Sequence, residues 1–327
     1  MTSIIKNQLG IVLGICFILF ACEKKELPAP AYNRGDIITA QIEMTSNYKN
    51  QVWFRLFDNK VVSTNLKTDW DLNFENTANG QHLSLNSAKA MRAYKTSYAN
   101  LTQVTDTTGI ATHCKADNPS GNLDSTAIGN WQTNNTVYII NRGYNEIGQQ
   151  QGYYKLKIIS VTTTHYVIEY APITSTEIKQ QTITKNNDYN NTSFSFTSNN
   201  VVLVEPQKNN YDLCFTQYTH VFTNPFQYYQ VVGVLNNNYK TRIAKITNIA
   251  FANITIADTL THQFYTTQNA IGYDWKSFSL NTNLFTIDAT KCYIINDSRG
   301  FYYKLHFIDF YNEAGIKGYP KCEYKKL

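Results

Sequence analysis

An internal repeat constrains this chain more than any other feature. Near the C-terminus it reads FYYKLHFID, and much earlier GYYKLKIIS. Flanking blocks recur in the same order. The first copy runs VWFRLFDNKVVSTNLKTDWDLNFE, NTVYIINRG, GYYKLKIIS and HYVIEY; the second runs TSFSFTSNNVVLVEPQKNNYDLCFT, TKCYIINDSRG, FYYKLHFID and YPKCEY. Trp70 thus matches Tyr211, Tyr138 matches Tyr293, Tyr154 matches Tyr303 and Tyr170 matches Tyr324. Repeats on this scale make each copy one structural unit.

Each block alternates with the period of a strand. Leu156 and Ile158 share one face against Lys155 and Lys157, as Leu305 and Phe307 do against Lys304 and His306. One apolar face predicts antiparallel sheets packed on one side, with NDSRG as a hairpin loop. Helical signals are weak: LNSAKAMRAYKTSYANL could equally be strand and loop. The expected fold is all-β, with two tandem similar antiparallel domains over 43–173 and 193–327 and few or no helices after the leader. A polar stretch, 174–192, breaks the strand pattern and reads as the linker between them.

At the N-terminus, Lys6 precedes an apolar run from Ile11 to Phe20. That run is about half the roughly 20 residues needed to cross a bilayer, so 1–21 reads as a signal peptide. LFAC resembles the bacterial lipobox, which makes Cys22 the lipid anchor in a membrane bilayer. Residues 22–42, with two prolines in KKELPAPAYNRGD, read as the lipidated cysteine and an extended linker. An outer-membrane lipoprotein exposed at the cell surface is the expected location.

Aromatic residues make up 14% of the chain and charged ones 16%, so the polar surface rests on Asn, Thr, Ser and Gln. The net charge of +5 is spread out, with no Lys/Arg block of the kind nucleic acid requires. The chain shows no G-x-S-x-G elbow, no H-E-x-x-H and no phosphate-cradling glycine loop, so no enzyme is expected. Cys114, Cys214, Cys292 and Cys322 lack C-x-x-C spacing and read as buried free thiols. In a three-stranded meander, Cys292 and Cys322 would lie on outer strands about 10 Å apart, beyond disulfide reach.

The lipobox, WDLNF and YDLCF, YIINDSRGFYYKLHFIDFY and GIKGYPKCEY together resemble the HmuY family, most strongly over 211–327. That resemblance implies an all-β lipoprotein which binds heme between two axial side chains and supplies it to a TonB-dependent outer-membrane receptor. It also implies a first ligand at His262, in DTLTHQF, and a second near 275–283, where this chain has neither His nor Met. His220 in TQYTHVFTNPF, His113 beside Cys114, and Met91 in SAKAMRAYK are the residues to pair with His262. Apart from heme iron, no metal site is expected. His82 reads as a turn residue, and His165 and His306 as ordinary strand positions. A second function stays open on the residues alone: 24 tyrosines and Asn-rich loops also suit a non-heme module for a glycan, peptide or receptor partner.

Overall fold

The computed structural model describes residues 34–110 and 113–327. The expected signal peptide, 1–21, and the expected anchor Cys22 lie outside them. The first repeat supplies β1 (Ile38–Gln41), β2 (Asn50–Arg55), β3 (Lys60–Leu66), β4 (Leu72–Glu75), β5 (Leu83–Leu85), β6 (Arg92–Lys95), β7 (Tyr138–Asn141), β8 (Tyr153–Val161) and β9 (His165–Pro172). Next come β10 (Lys179–Thr184), β11 (Asn191–Ser195), β12 (Asn200–Val202), β13 (Leu213–Thr223), β14 (Phe226–Asn236) and β15 (Arg242–Thr247). The chain ends with β16 (Lys276–Ser279), β17 (Leu284–Ile287), β18 (Lys291–Asn296), β19 (Tyr302–Tyr311) and β20 (Lys317–Lys326). The protein is all-β: among the described residues the longest helical segment is the five-residue 3-10 turn Ile256–Leu260.

Two five-stranded sheets have matching orders, β10-β9-β8-β7-β6 and β1-β20-β19-β18-β15. Their registers also coincide. Lys179, Tyr170, Leu156 and Tyr138 form one cross-strand row, and Ile38, Tyr324, Leu305 and Tyr293 form the same row in the other sheet. A register shift after Ile158 has its counterpart after Phe307.

The strands do not sort along 43–173 and 193–327. Hairpin β2–β3 pairs through β2 with β13, while β11–β12 pairs through β11 with β4. Each repeat therefore lends its leading hairpin to the sheet begun by the other. Residues 174–192, expected as a strand-free linker, hold β10 and the start of β11, and the expected linker 22–42 holds β1. Both strands are short, and each is stabilised by an edge that sequence periodicity does not reveal. β10 pairs with the adjacent β9, but β1 needs β20 at the opposite end of the chain.

Two apolar cores result. One gathers Ala40, Ile42, Val52 and Phe54 with Leu213, Trp275, Tyr293, Leu305 and Tyr324. The other gathers Leu72, Phe74, Met91, Tyr138, Leu156, Tyr170, Phe194 and Phe196. The five-stranded sheets are covered on their outer faces too, which corrects the one-sided packing expected. Val137 and Ile139 face a cluster with Leu101, Val104 and Ile110; Cys292 and Ile294 face one with Phe251 and Ile254. Lys155 and Lys304, expected to point to solvent, are buried beneath these covers. Lys155 Nζ donates to Val104 O (2.9 Å), and Lys304 Nζ donates to Phe251 O (2.8 Å) and Ile254 O (3.0 Å). The covering chain thereby presents carbonyls that satisfy the ammonium groups it buries. The four cysteines among the described residues are free; Cys214, Cys292 and Cys322 are buried as expected, whereas Cys114 is only partly buried, in the loop over the outer face.

Where each hairpin crosses to the other sheet, a buried Asp and a buried Asn hold it. Asp71 Oδ2 accepts Phe196 N–H (2.7 Å), and Asp212 Oδ2 accepts Leu56 N–H (2.8 Å). Asn86 Nδ2 donates to Lys67 O (2.7 Å) and Trp70 O (2.8 Å); Asn237 Nδ2 donates to Lys208 O and Tyr211 O (both 2.8 Å). The surrounding charges differ between the two crossings. Asp71 pairs with Lys89 and with Arg142 (Nε 3.0 Å). After the matched Asn296, Asp297 stands where Arg142 follows Asn141. Burial, reinforced by Asp297, pushes the Asp212 carboxyl up to about 6.

Two substitutions separate these settings. Asp71→Ala leaves Lys89 and Arg142 buried without their partner, and denaturant unfolding should show a loss of about 3–5 kcal/mol. Asp212 holds its proton more tightly folded than unfolded, where the value is about 3.9. Its stabilising effect is complete below that value and is lost as pH rises through 6. Asp212→Asn should therefore melt above the parent at pH 8, with the gap closing towards pH 4. Equal melting at both pH values would contradict the assignment.

Candidate functional site

The halves differ most at one hairpin. β4 and β5 span four and three residues, whereas the matched β13 and β14 run for 11 residues each. Alternating registry sorts the long hairpin's side chains onto two faces. On one, His220 lies opposite Tyr229. The His220 ring meets Phe222 edge-on at 4.8 Å and Tyr273 at 4.9 Å, and Phe222 lies 6.2 Å from Tyr229. His220 Nδ1 is buried and has no hydrogen-bond partner among the described residues. The other face carries Phe226 and Tyr228, with the Arg92 guanidinium 4.9 Å above the Tyr228 ring. That face is tied to the first half by Thr219 and Gln230, which both donate to Ser87 O.

Desolvation among these rings lowers the His220 pKa, and the nearby Asp274 carboxylate opposes the shift. The imidazole is thus neutral at pH 7, the form that ligates metal. Asp274 pairs with Lys245 and Lys291, each at 3.0 Å, and Lys291 also meets Asp288 at 3.5 Å, so the charges beside Tyr273 balance.

The other candidates are dispersed. Met91 is 1% exposed inside the first-half core, without access to a ligand. His113 is exposed in the loop covering the outer face of β6–β7, its ring 6.3 Å from Tyr94. His262 follows the 3-10 turn over the other sheet, with Nδ1 2.9 Å from Asp258 O. These two occupy nearly equivalent places, since Lys115 bridges Ala93 as Tyr265 bridges Ile243. His82 contacts Glu75 at 2.7 Å, and His306 contacts Glu323 at 3.0 Å while stacking on Phe251. Among the described residues no three His, Cys, Asp or Glu side chains gather as a metal site.

A concavity lies elsewhere, where the exchanged hairpins meet. It is an open cleft of about 130 Å³ lined by Gln51, Trp53, Trp70, Asp117, Glu205 and Tyr211, among others. Glu205 is buried without a cation, accepting from Tyr211 OH (2.6 Å) and from Asn190 and Asn191. Burial raises its pKa, and likewise pushes Asp117 up to about 6 although two backbone N–H groups oppose the shift. The loops from the two halves touch here, Gln268 N donating to Ser120 O at 2.7 Å. Gly121 allows this approach: φ is +73°, and a Cβ there would lie 3.0 Å from Asn238 and Gln268. Sequence reading missed this cleft, because its lining comes from many separate segments. Only the matched Trp70 and Tyr211 signalled it.

If Asp274 and the rings set the His220 environment, NMR titration should place its midpoint below the ordinary value of about 6.5. Asp274→Asn, which removes the opposing charge, should lower it further; a rise would contradict this geometry.

A family described as HmuY protein matches residues 47–324. No curated protein matches the chain. Among solved structures, apo PinO from Porphyromonas gingivitis is similar at 8% identity and a TM-score of 0.31, covering 90% of this chain and 98% of that one. The apo HmuY analog of Tannerella forsythia is similar at 10% identity and a TM-score of 0.26, covering 90% of this chain and 99% of that one. Overlays this loose carry no residue-to-residue correspondence.

Proposed function

Because the chain belongs to the HmuY family, we propose that it is a surface lipoprotein, anchored through Cys22, that binds heme and passes it to a TonB-dependent outer-membrane receptor. The observation that carries this reading is His220. It is a half-buried neutral imidazole with an unpaired ring nitrogen, walled by Phe222, Tyr229 and Tyr273. Flat aromatic walls suit a porphyrin face, and imidazole is a competent iron ligand. His262 and His113 lie on loops over the outer faces of the two sheets and are not brought to His220, so the reading rests on His220 as the iron ligand.

The cleft between the hairpins is not the heme site in this reading. Its lining contains no His, Met, Lys or Arg. Its volume also falls short of the roughly 300–1,000 Å³ typical of pockets for larger organic ligands.

Heme added to the chain beginning after Cys22 should give a saturable one-to-one Soret shift, read in oxidised and reduced states. His220→Ala should weaken binding at least about tenfold, or ~1.4 kcal/mol. Affinity should hold between pH 7.5 and 6.5 and fall only below, where protons compete for the imidazole. Full binding by His220→Ala would move the ligand to His262 or His113, while a non-saturating titration of the parent would end the heme reading.

A further inference from the structure

The cleft at the seam is the second place where side chains converge, and its chemistry differs from that around His220. Aromatic surface comes first. Trp53 and Trp70 both line it, and their indole N–H groups are already engaged, donating to Asn65 Oδ1 and Gln51 Oε1 at 2.8 Å. Only ring surface is therefore left for a ligand. Tyr211 holds Trp53 in place edge-on, with ring centres 4.9 Å apart.

Around the rings stand polar groups with capacity to spare. The side chains of Ser84 and Asn238 make no hydrogen bond to another described residue. Asn73 and Asn118 use only their carbonyl oxygens, accepting from Ser193 and from the Ser120 N–H, which leaves both NH₂ groups for a ligand. Glu205 is buried and its network is built into the wall. Donors and acceptors thus surround an apolar platform, the combination that recognises a ring with hydroxyls on its rim and C–H groups on its faces.

Charge narrows the class further. The lining has two carboxyl groups, Asp117 and Glu205, and no cationic side chain. A phosphate, sulfate or carboxylate ligand would meet like charge with nothing to offset it. Size narrows it again: about 130 Å³, at roughly 10–15 Å³ of accessible space per water, has room for about ten non-hydrogen atoms, the bulk of one sugar ring. The space is open on one side, so a chain can continue beyond the ring it holds.

We infer that this cleft is a binding site for a neutral oligosaccharide, with one sugar ring seated on the partly exposed face of Trp53, which the buried Trp70 backs, and its hydroxyls read by Asn73, Ser84, Asn118 and Asn238. The inference stands apart from the heme reading, because the two share no ligand-contacting residue.

The test uses the full-length chain in detergent, titrated calorimetrically with cellohexaose, maltohexaose, xylohexaose, mannohexaose and chitohexaose. Oligogalacturonate of similar length serves as the charged comparator, and tryptophan emission is followed in parallel. At least one neutral sugar should saturate with a change in emission, and the galacturonate should not. Asn238→Trp, at an exposed position, fills the cleft and should weaken binding at least about tenfold. Trp53→Ala should do the same, while heme binding by Asn238→Trp stays at the parental level. Saturation by none of the neutral sugars, a preference for galacturonate, or undiminished binding by Asn238→Trp would each overturn the inference.

Discussion

The rest of the structure depends on main-chain pairing between the two sequence repeats. Phe54 opposes Leu213 and Leu72 opposes Phe194. Without that exchange neither core would close, since Val52 and Phe54 complete one and Phe194 and Phe196 the other. A strand edge left open exposes unpaired N–H and C=O groups along its length, so the borrowed hairpins are structural necessities. The turns between the halves run through buried ground. Their carbonyls must find donors there, and Asn86 and Asn237, both fully buried, supply two each.

Symmetry of this kind makes the departures informative. Where the first half places Lys89 and Arg142 around its buried Asp71, the second leaves Asp212 near another carboxylate. The first crossing is therefore held by charge pairs at neutral pH, and the second pays an electrostatic penalty there. The same half carries the lengthened hairpin with its exposed aromatics, Phe226 at 67% and Tyr229 at 55%. Exposed aromatic surface and an under-compensated carboxyl both sit on the half that bears His220. Elements that bind are commonly those a scaffold does not use for its own stability.

How much of this could be read from the sequence depends on what periodicity encodes. Alternation in YYKLKII and YYKLHFID placed Leu156 and Leu305 on core faces, and the matched blocks pointed to two similar antiparallel sheets. Alternation assigns faces but not partners, so nothing in it shows β2 leaving for β13. Nor does it show what lies over the second face. Lys155 and Lys304 look solvated by pattern, yet carbonyls of the covering turns accept from them. The unbroken apolar runs VYII and CYII were the available signal, because a strand buried on both faces loses its polar alternation. Among site residues, His220 stood out through its aromatic neighbours. The cleft did not, since Gln51, Asp117, Glu205 and Gln268 meet only after the hairpins have crossed.

The seam also explains how two such different candidate surfaces can share one chain. Iron ligation of the kind proposed would need a neutral imidazole, and the long hairpin folded against Tyr273 holds His220 half-buried at the periphery of one half. A polyhydroxylated ring needs many weak, directed contacts on a fixed platform, and fixing them requires rigid neighbours. The crossing loops are held by the side-chain hydrogen bonds of Asp71, Asn86, Asp212 and Asn237. Trp70 and Tyr211 are the last residues before those aspartates, so the aromatic side chains at the cleft inherit their rigidity from the network that joins the halves. Exchange of the hairpins thus builds the scaffold and the floor of the cleft in one step, and leaves the extended β13–β14 hairpin to evolve a separate ligand surface.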